Sequence, residues 1–144
     1  MTEYDEDVPF FSKFSKVDQI GIVVKDMETS MKFYKKMFRP DPFLTLEIGD
    51  SSRLKLGIFQ LGEVQIELIQ IIKGETIHSR FLEKHGEGLH HLGFFVENLE
   101  EELALLEKGG IKVLEEGNIL EAGKYAYLDT EKLLGIVLEL IQLG

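Results

Sequence analysis

Four polar residues stand in two pairs with one spacing: Gln19 and His91 are 72 positions apart, and so are Glu67 and Glu139. An imidazole, an amide oxygen and two carboxylates form a donor set for one divalent cation, with positions left for water or substrate. Two carboxylates neutralise the charge of such an ion. The oxygen-rich set suits zinc, nickel, cobalt, manganese or magnesium better than copper(I). Taken singly these residues say little, because a Glu in an amphipathic strand ordinarily faces solvent and a lone His is as much at home in a core as in a site. The shared spacing is what joins them.

That spacing belongs to an internal repeat. Shifted by 72, residues 17–27 (VDQIGIVVKDM) fall on 89–99 (LHHLGFFVENL), and residues 64–70 (VQIELIQ) fall on 136–142 (IVLELIQ) with an identical Glu-Leu-Ile-Gln ending. One register across two separated segments marks a duplicated module. Residues 17–24 are β-branched and bounded by charge, which predicts a strand. Asp26 is then an N-cap, and Met27, Met31, Tyr34, Met37 and Phe38 recur along a helix ended by Pro40 and Pro42. Strands follow at 44–48, 54–61 and 64–72, with Leu61-Gly62-Glu63 as a tight hairpin. The second copy predicts a strand at 89–96, Asn98 as N-cap, and a helix carrying Leu99, Leu103 and Leu106 that stops at Gly109-Gly110. Strands at 111–114, 124–128 and 136–143 complete it.

The expected fold is therefore α+β: two tandem βαβββ modules at about 16–73 and 88–143, joined by a helical linker at 76–86. They form a cup-shaped mixed sheet with helices on the outer face, and residues 1–144 form one domain. Strand alternation places Gln19, Gly21 and Val23 on one face and Ile20, Ile22 and Val24 on the other. In the repeat, His91, Gly93 and Phe95 match the first face, and Leu92, Phe94 and Val96 the second. Glu67 and Glu139 likewise face away from their Leu and Ile neighbours. A local two-fold would bring all four polar residues to one point. By the same alternation His90 points away from His91 and is structural or supports it from behind. His78 and His85, in the linking helix, are expected to be solvated. The acidic run 97–102 opens a helix, where negative charge is favourable.

Composition narrows the partners. With 16 Lys+Arg against 26 Asp+Glu the formal charge is −10, which disfavours nucleic acid or an anionic membrane. The absence of Cys excludes disulfides, thiolate nucleophiles and Cys-type zinc sites. No apolar run approaches the roughly 20 residues that span a bilayer. Residues 1–8 are acidic instead of basic-then-apolar, so no secretory leader is expected and a cytoplasmic protein is.

From residue 16 to 143 the chain resembles the vicinal oxygen chelate superfamily, which includes glyoxalase I, methylmalonyl-CoA epimerase, extradiol dioxygenases and bleomycin-resistance proteins. Residues 81–94 (FLEKHGEGLHHLGF) with 96–100 (VENLE) are most similar to the epimerases, as is the closing strand GIVLELI at 135–141. The resemblance implies metal ligands at Gln19, Glu67, His91 and Glu139, binding cobalt, zinc, nickel or manganese. It also implies a homodimer and a small-molecule thioester substrate. The chemistry it implies is proton abstraction next to a carbonyl through a metal-stabilised enediolate, as in a metal-dependent isomerase or lyase. Glu139 would be the base and Glu67 its counterpart on the opposite face. Two departures are evident. Epimerases usually carry His where Gln19 stands, and the set Gln, Glu, His, Glu is similar to zinc-type glyoxalase I. Residues 128–132 (LDTEK) replace the His-Pro-Lys turn that epimerases tend to show. Three readings follow in order: an acyl-CoA epimerase of the methylmalonyl-CoA type, a glyoxalase I (lactoylglutathione lyase), and a non-enzymatic binding protein of the bleomycin-resistance type. An extradiol dioxygenase is disfavoured because Gln19 breaks its two-His, one-carboxylate triad.

Overall fold

A computed structural model describes residues 14–119 and 121–144. The chain runs β1 (Gln19–Val23), α1 (Met27–Phe38), β2 (Leu44–Gly49), β3 (Arg53–Leu61), β4 (Val64–Lys73), α2 (Ile77–His85), β5 (Gly88–Phe95), α3 (Leu99–Lys108), β6 (Val113–Ile119), β7 (Gly123–Leu128), α4 (Glu131–Leu134) and β8 (Val137–Gln142). This is the expected α+β class with two βαβββ modules and a linking helix. None of the described helices is long and apolar enough to cross a membrane.

The chain divides into two compact units. One spans Asp18–His91; the other comprises Leu92–Gly144 and the described residues before Asp18. The boundary falls inside β5, between His91 and Leu92, so His91 folds with the first unit. In that unit the strand order is β2-β3-β4-β1, with β1 and β4 parallel and the other pairs antiparallel. In the second, β8 lies beside β7 and β7 beside β6, with both pairs antiparallel.

Each unit has its own apolar core, and many of their positions correspond at the 72-residue offset. In the first, α1 lays Met27 on Val24, Phe59, Ile66 and Leu68, with Ile20, Ile22, Met31 and Tyr34 around them. In the second, Leu99 of α3 packs with Phe94, Leu106, Ala126 and Leu140, flanked by Leu92, Val96, Leu103 and Leu138. The main-chain bonds repeat as well. Val24 donates to the Ile69 carbonyl at 2.9 Å, and Val96 to that of Ile141 at 2.8 Å.

The repeated Glu-Leu-Ile-Gln has a physical explanation. Its Leu is fully buried in each core. Its Ile carbonyl receives the bond just described, and its Gln caps a helix. The first backbone N–H groups of a helix lack partners within it. Gln70 Oε1 accepts from Met27 N–H at 2.6 Å, and Gln142 Oε1 accepts from Leu99 N–H at 2.8 Å. Asp26 and Asn98 add the expected N-caps by accepting from Thr29 and Glu101. Three of the four letters thus serve the scaffold, and the Glu has no part in either core.

Some boundaries differ from expectation. Helix α1 ends at Phe38, with Arg39 in the left-handed region at φ 48 and Pro40 following. Strand β6 reaches Ile119 instead of ending at 114, since Glu115, Gly117 and Asn118 pair with Tyr127, Tyr125 and Lys124 despite poor strand propensity. The single turn α4 had no sequence signal. The hairpin at Gly62 is as expected: its φ of 60 is a conformation glycine adopts without penalty.

Candidate metal centre

Three of the four predicted residues meet in the first unit. Gln19 opens β1, Glu67 lies on β4, and His91 is the last residue of β5 within this unit. Because β1 and β4 pair in parallel with Gln19 beside Gln65 and Gly21 beside Glu67, the two strands carry Gln19 and Glu67 as diagonal neighbours on one face. His91 Nε2 lies 3.4 Å from Gln19 Oε1 and 3.7 Å from Glu67 Oε1. The His91 side chain is fully buried, and that of Glu67 is 14% exposed. Gln19 is buried too.

Local sequence sets this geometry. Gly21 stands on the same face as Gln19, and a Cβ built there would overlap Cε1 and both nitrogens of the His91 ring. Glycine is thus what lets the imidazole cross β1. The amide of Gln19 is turned by its neighbour on β4: Gln19 Nε2 donates to Gln65 Oε1 at 2.7 Å, which leaves Oε1 facing His91.

The donor set fits a divalent cation. Ligand atoms at ~2.1 Å from zinc in a tetrahedral shell are roughly 3.4 Å apart, close to the two separations around His91 Nε2. Imidazole nitrogen with amide and carboxylate oxygens is also the chemistry that zinc, cobalt, nickel and manganese accept.

Glu139 lies in the second unit, on β8 opposite Tyr127 of β7. It is buried, at 5% exposure. Its face of that unit carries Tyr127, Tyr125 and Glu115, since Tyr127 pairs with Glu115 and Tyr125 with Gly117. Tyr125 donates its hydroxyl to Glu115 Oε2 at 3.2 Å. Burial, with the Glu115 and then the Glu139 carboxylates adding to it, pushes the Tyr125 phenol up to about 12.

Two histidines depart from the sequence reading. His78, expected in solvent, is buried. Its place in the second position of α2, on the helix face of Phe81 and Leu82, was the available signal. Its ring centroid lies 4.9 Å from that of His90 and 6.3 Å from that of His91. His90, expected to point away from His91, brings its Nδ1 to 2.8 Å from His91 Nδ1, because the two rings stand nearly perpendicular. One ring nitrogen from each of His78, His90 and His91 lies within 4.8 Å of the others. Desolvation, reinforced by His91 and His85, lowers the His90 imidazole to about 3, and His78 is driven well below the usual histidine range by burial first and then by His90 and His91. His85 is exposed as expected, and its ring packs against Phe81.

Comparison with known proteins places the chain. A family model described as the glyoxalase/bleomycin resistance protein/dioxygenase superfamily matches residues 18–127. The uncharacterized protein YqjC of Bacillus subtilis (strain 168) is 28% identical over 130 residues, covering 89% of this chain and 92% of that protein. Among solved structures, a hypothetical protein of Bacillus halodurans C-125 superposes with a TM-score of 0.75 at 26% identity, covering 90% of this chain and 94% of that one. A Streptomyces coelicolor methylmalonyl-CoA epimerase variant in complex with 2-nitronate-propionyl-CoA gives 0.76 at 21% identity, with 92% and 96% covered. With its family model matched over most of its length, this chain belongs to the glyoxalase/bleomycin resistance protein/dioxygenase superfamily.

Proposed function

We propose that the protein is a metal-dependent epimerase of a 2-methyl-branched acyl-CoA thioester, of the methylmalonyl-CoA type. The observation that carries this reading is the convergence of His91 Nε2, Glu67 Oε1 and Gln19 Oε1 in a buried site. The flanking sequence 81–94 and the fold shared with acyl-CoA-bound epimerases support the substrate class. Gln19, Glu67 and His91, with Glu139 as the fourth donor, would hold the cation. When bound, that cation would supply Lewis-acid polarisation of the substrate carbonyl.

The remaining chemistry belongs to the chain. The carbon acid next to a thioester is too weak for a solvated carboxylate to ionise, so the base must be desolvated and aimed. Glu139, buried on β8, takes that proton in this proposal. Glu67, its counterpart 72 residues earlier, returns one on the opposite face, as inversion requires. Burying the site keeps competing water away from the carbanionic carbon.

The test is solvent deuterium incorporation at C2 of methylmalonyl-CoA. Exchange abolished by EDTA and restored by cobalt or zinc is the expected result; its absence with either metal removes this reading. The second reading, glyoxalase I, is favoured by Gln19, whose amide oxygen is turned toward His91 where epimerases usually carry a histidine. Growth of thioester absorbance from the methylglyoxal–glutathione hemithioacetal would select it.

A further inference from the structure

We infer that His90 is a positioning residue that fixes the tautomer of His91, accepting a hydrogen bond from His91 Nδ1–H so that the Nε2 lone pair faces Gln19 and Glu67. The inference rests on the metal-site reading only for its consequence; the tautomer is a property of the metal-free chain.

Two ring nitrogens 2.8 Å apart cannot both present lone pairs, nor both present protons without repulsion. One of His90 Nδ1 and His91 Nδ1 therefore carries the hydrogen. Around His91 Nε2 stand two acceptors, Gln19 Oε1 and Glu67 Oε1. Both stand beyond the ordinary reach of an N–H···O bond, whereas the 2.8 Å contact at Nδ1 is a full hydrogen bond, so the proton of a neutral His91 belongs on Nδ1; on Nε2 it would block a cation. Placing the proton on Nδ1 instead requires a fixed acceptor behind the ring, and His90 is that group. Its ring is held in turn by neighbours: His78 lies against it at 4.9 Å, and Phe81 meets it edge-on at 5.1 Å, both from α2. Neither His90 nor His78 is more than 4% exposed, so water does not compete for the acceptor. Partners of this kind on the far nitrogen of a ligating histidine set ring orientation and basicity, and losing one typically weakens metal affinity about 10–100-fold.

The experiment is long-range proton–nitrogen correlation on nitrogen-15 histidine-labelled, metal-free protein, with each of the four histidines assigned by single substitution. His91 is expected in the Nδ1–H form; a proton on Nε2 overturns the inference whether or not the protein binds metal or turns over a thioester. His90→Leu should admit the Nε2–H form and weaken cobalt(II) binding about 10–100-fold in a competition titration. His90→Asn, whose Oδ1 can occupy the place of Nδ1, should restore both. If His90→Leu does not fold, the native tautomer and the asparagine variant still decide. Unchanged tautomer and affinity in a folded His90→Leu overturn the proposal. So does a second equivalent of cobalt(II) that is lost with His78→Ala, because the trio of histidines would then bind metal through His91 Nδ1.

Discussion

Glu67 and Glu139 open the same Glu-Leu-Ile-Gln motif, yet the strands beside them differ. Ile58 pairs with Glu67, and the face they share continues through Leu56 and Leu54 to Leu44, Leu46 and Ile48 on β2. That side of the first unit is aliphatic, with Leu44 and Ile48 exposed. Beside Glu139 the corresponding places hold Tyr127, Tyr125 and Glu115. The opposite faces, which pack on α1 and α3, correspond at many positions. Duplication has kept the face that folds each module and let the opposite face diverge. An amide and a carboxylate in an aliphatic setting, against a carboxylate in an aromatic and hydrogen-bonding one, give the two carboxylates different surroundings, which is how one residue type acquires two roles.

Substituting the two carboxylates tests that division most severely. Glu139→Gln should lower exchange at C2 by about 10²–10⁴-fold, the usual worth of a positioned base. Both should weaken cobalt(II) binding, Glu67→Gln the more, because the Glu67 carboxylate already stands beside His91 Nε2, and Glu67→Gln should slow turnover as well. Equal effects on affinity and rate in both variants would break the contrast between the modules.

Gly21 and Gly117 provide the next comparison, because each lies under an aromatic ring of its own unit. A Cβ at position 21 would overlap the His91 ring itself, whereas at position 117 it would lie 3.0 Å from the Tyr125 ring. His91 is fully buried and has no room to yield; Tyr125 is only half-buried and does. Gly21→Ala should cost at least the ~1–3 kcal/mol typical of overpacking, and Gly117→Ala visibly less, read as midpoints in urea. The helix caps should show the reverse pattern, namely equality. Gln70→Ala and Gln142→Ala each remove one side-chain bond to a helix N-terminus, and each should cost about 1 kcal/mol. A large inequality there would mean that the scaffold has diverged along with the site.

How much of this could be read in advance depended on whether the information was local or repeated. The offset of 72 carried the element order, both N-caps and the pairing of Gln19 with His91, because each feature occurs twice in one register. Three features had no such duplicate. His78 has no counterpart in the repeat, and only its place on the apolar side of α2 hinted at burial. Gln65 corresponds to Val137, so nothing marked it as the partner that turns the Gln19 amide. Strand alternation assigns His90 and His91 to opposite faces, but it does not forbid two long rings from meeting at one nitrogen each. The extended β6 was hidden for a different reason: Glu115, Glu116 and Asn118 disfavour a strand, and pairing with β7 overrides them.

The aromatic side of the contrast can be read in a titration. Tyr125 holds its proton up to about 12, raised first by burial and then by Glu115. A phenol raised above its unfolded value near 10 contributes stability that is complete below pH ~10 and lost as pH rises toward 12, since the native chain then retains a proton the unfolded chain has given up. Ultraviolet difference titration of phenolate formation should therefore show a late step that Tyr125→Phe removes. Glu115→Gln should bring that step to lower pH, because both the carboxylate charge and the hydrogen bond it accepts hold the phenol proton. Tyr125 is only half-buried, so the accompanying change in stability should be small, with solvent screening much of the interaction. An early Tyr125 step, or one indifferent to Glu115, would mean that the face around Glu139 is wetter than its neighbours imply, and would bring the two carboxylates closer in character than the contrast between the modules allows.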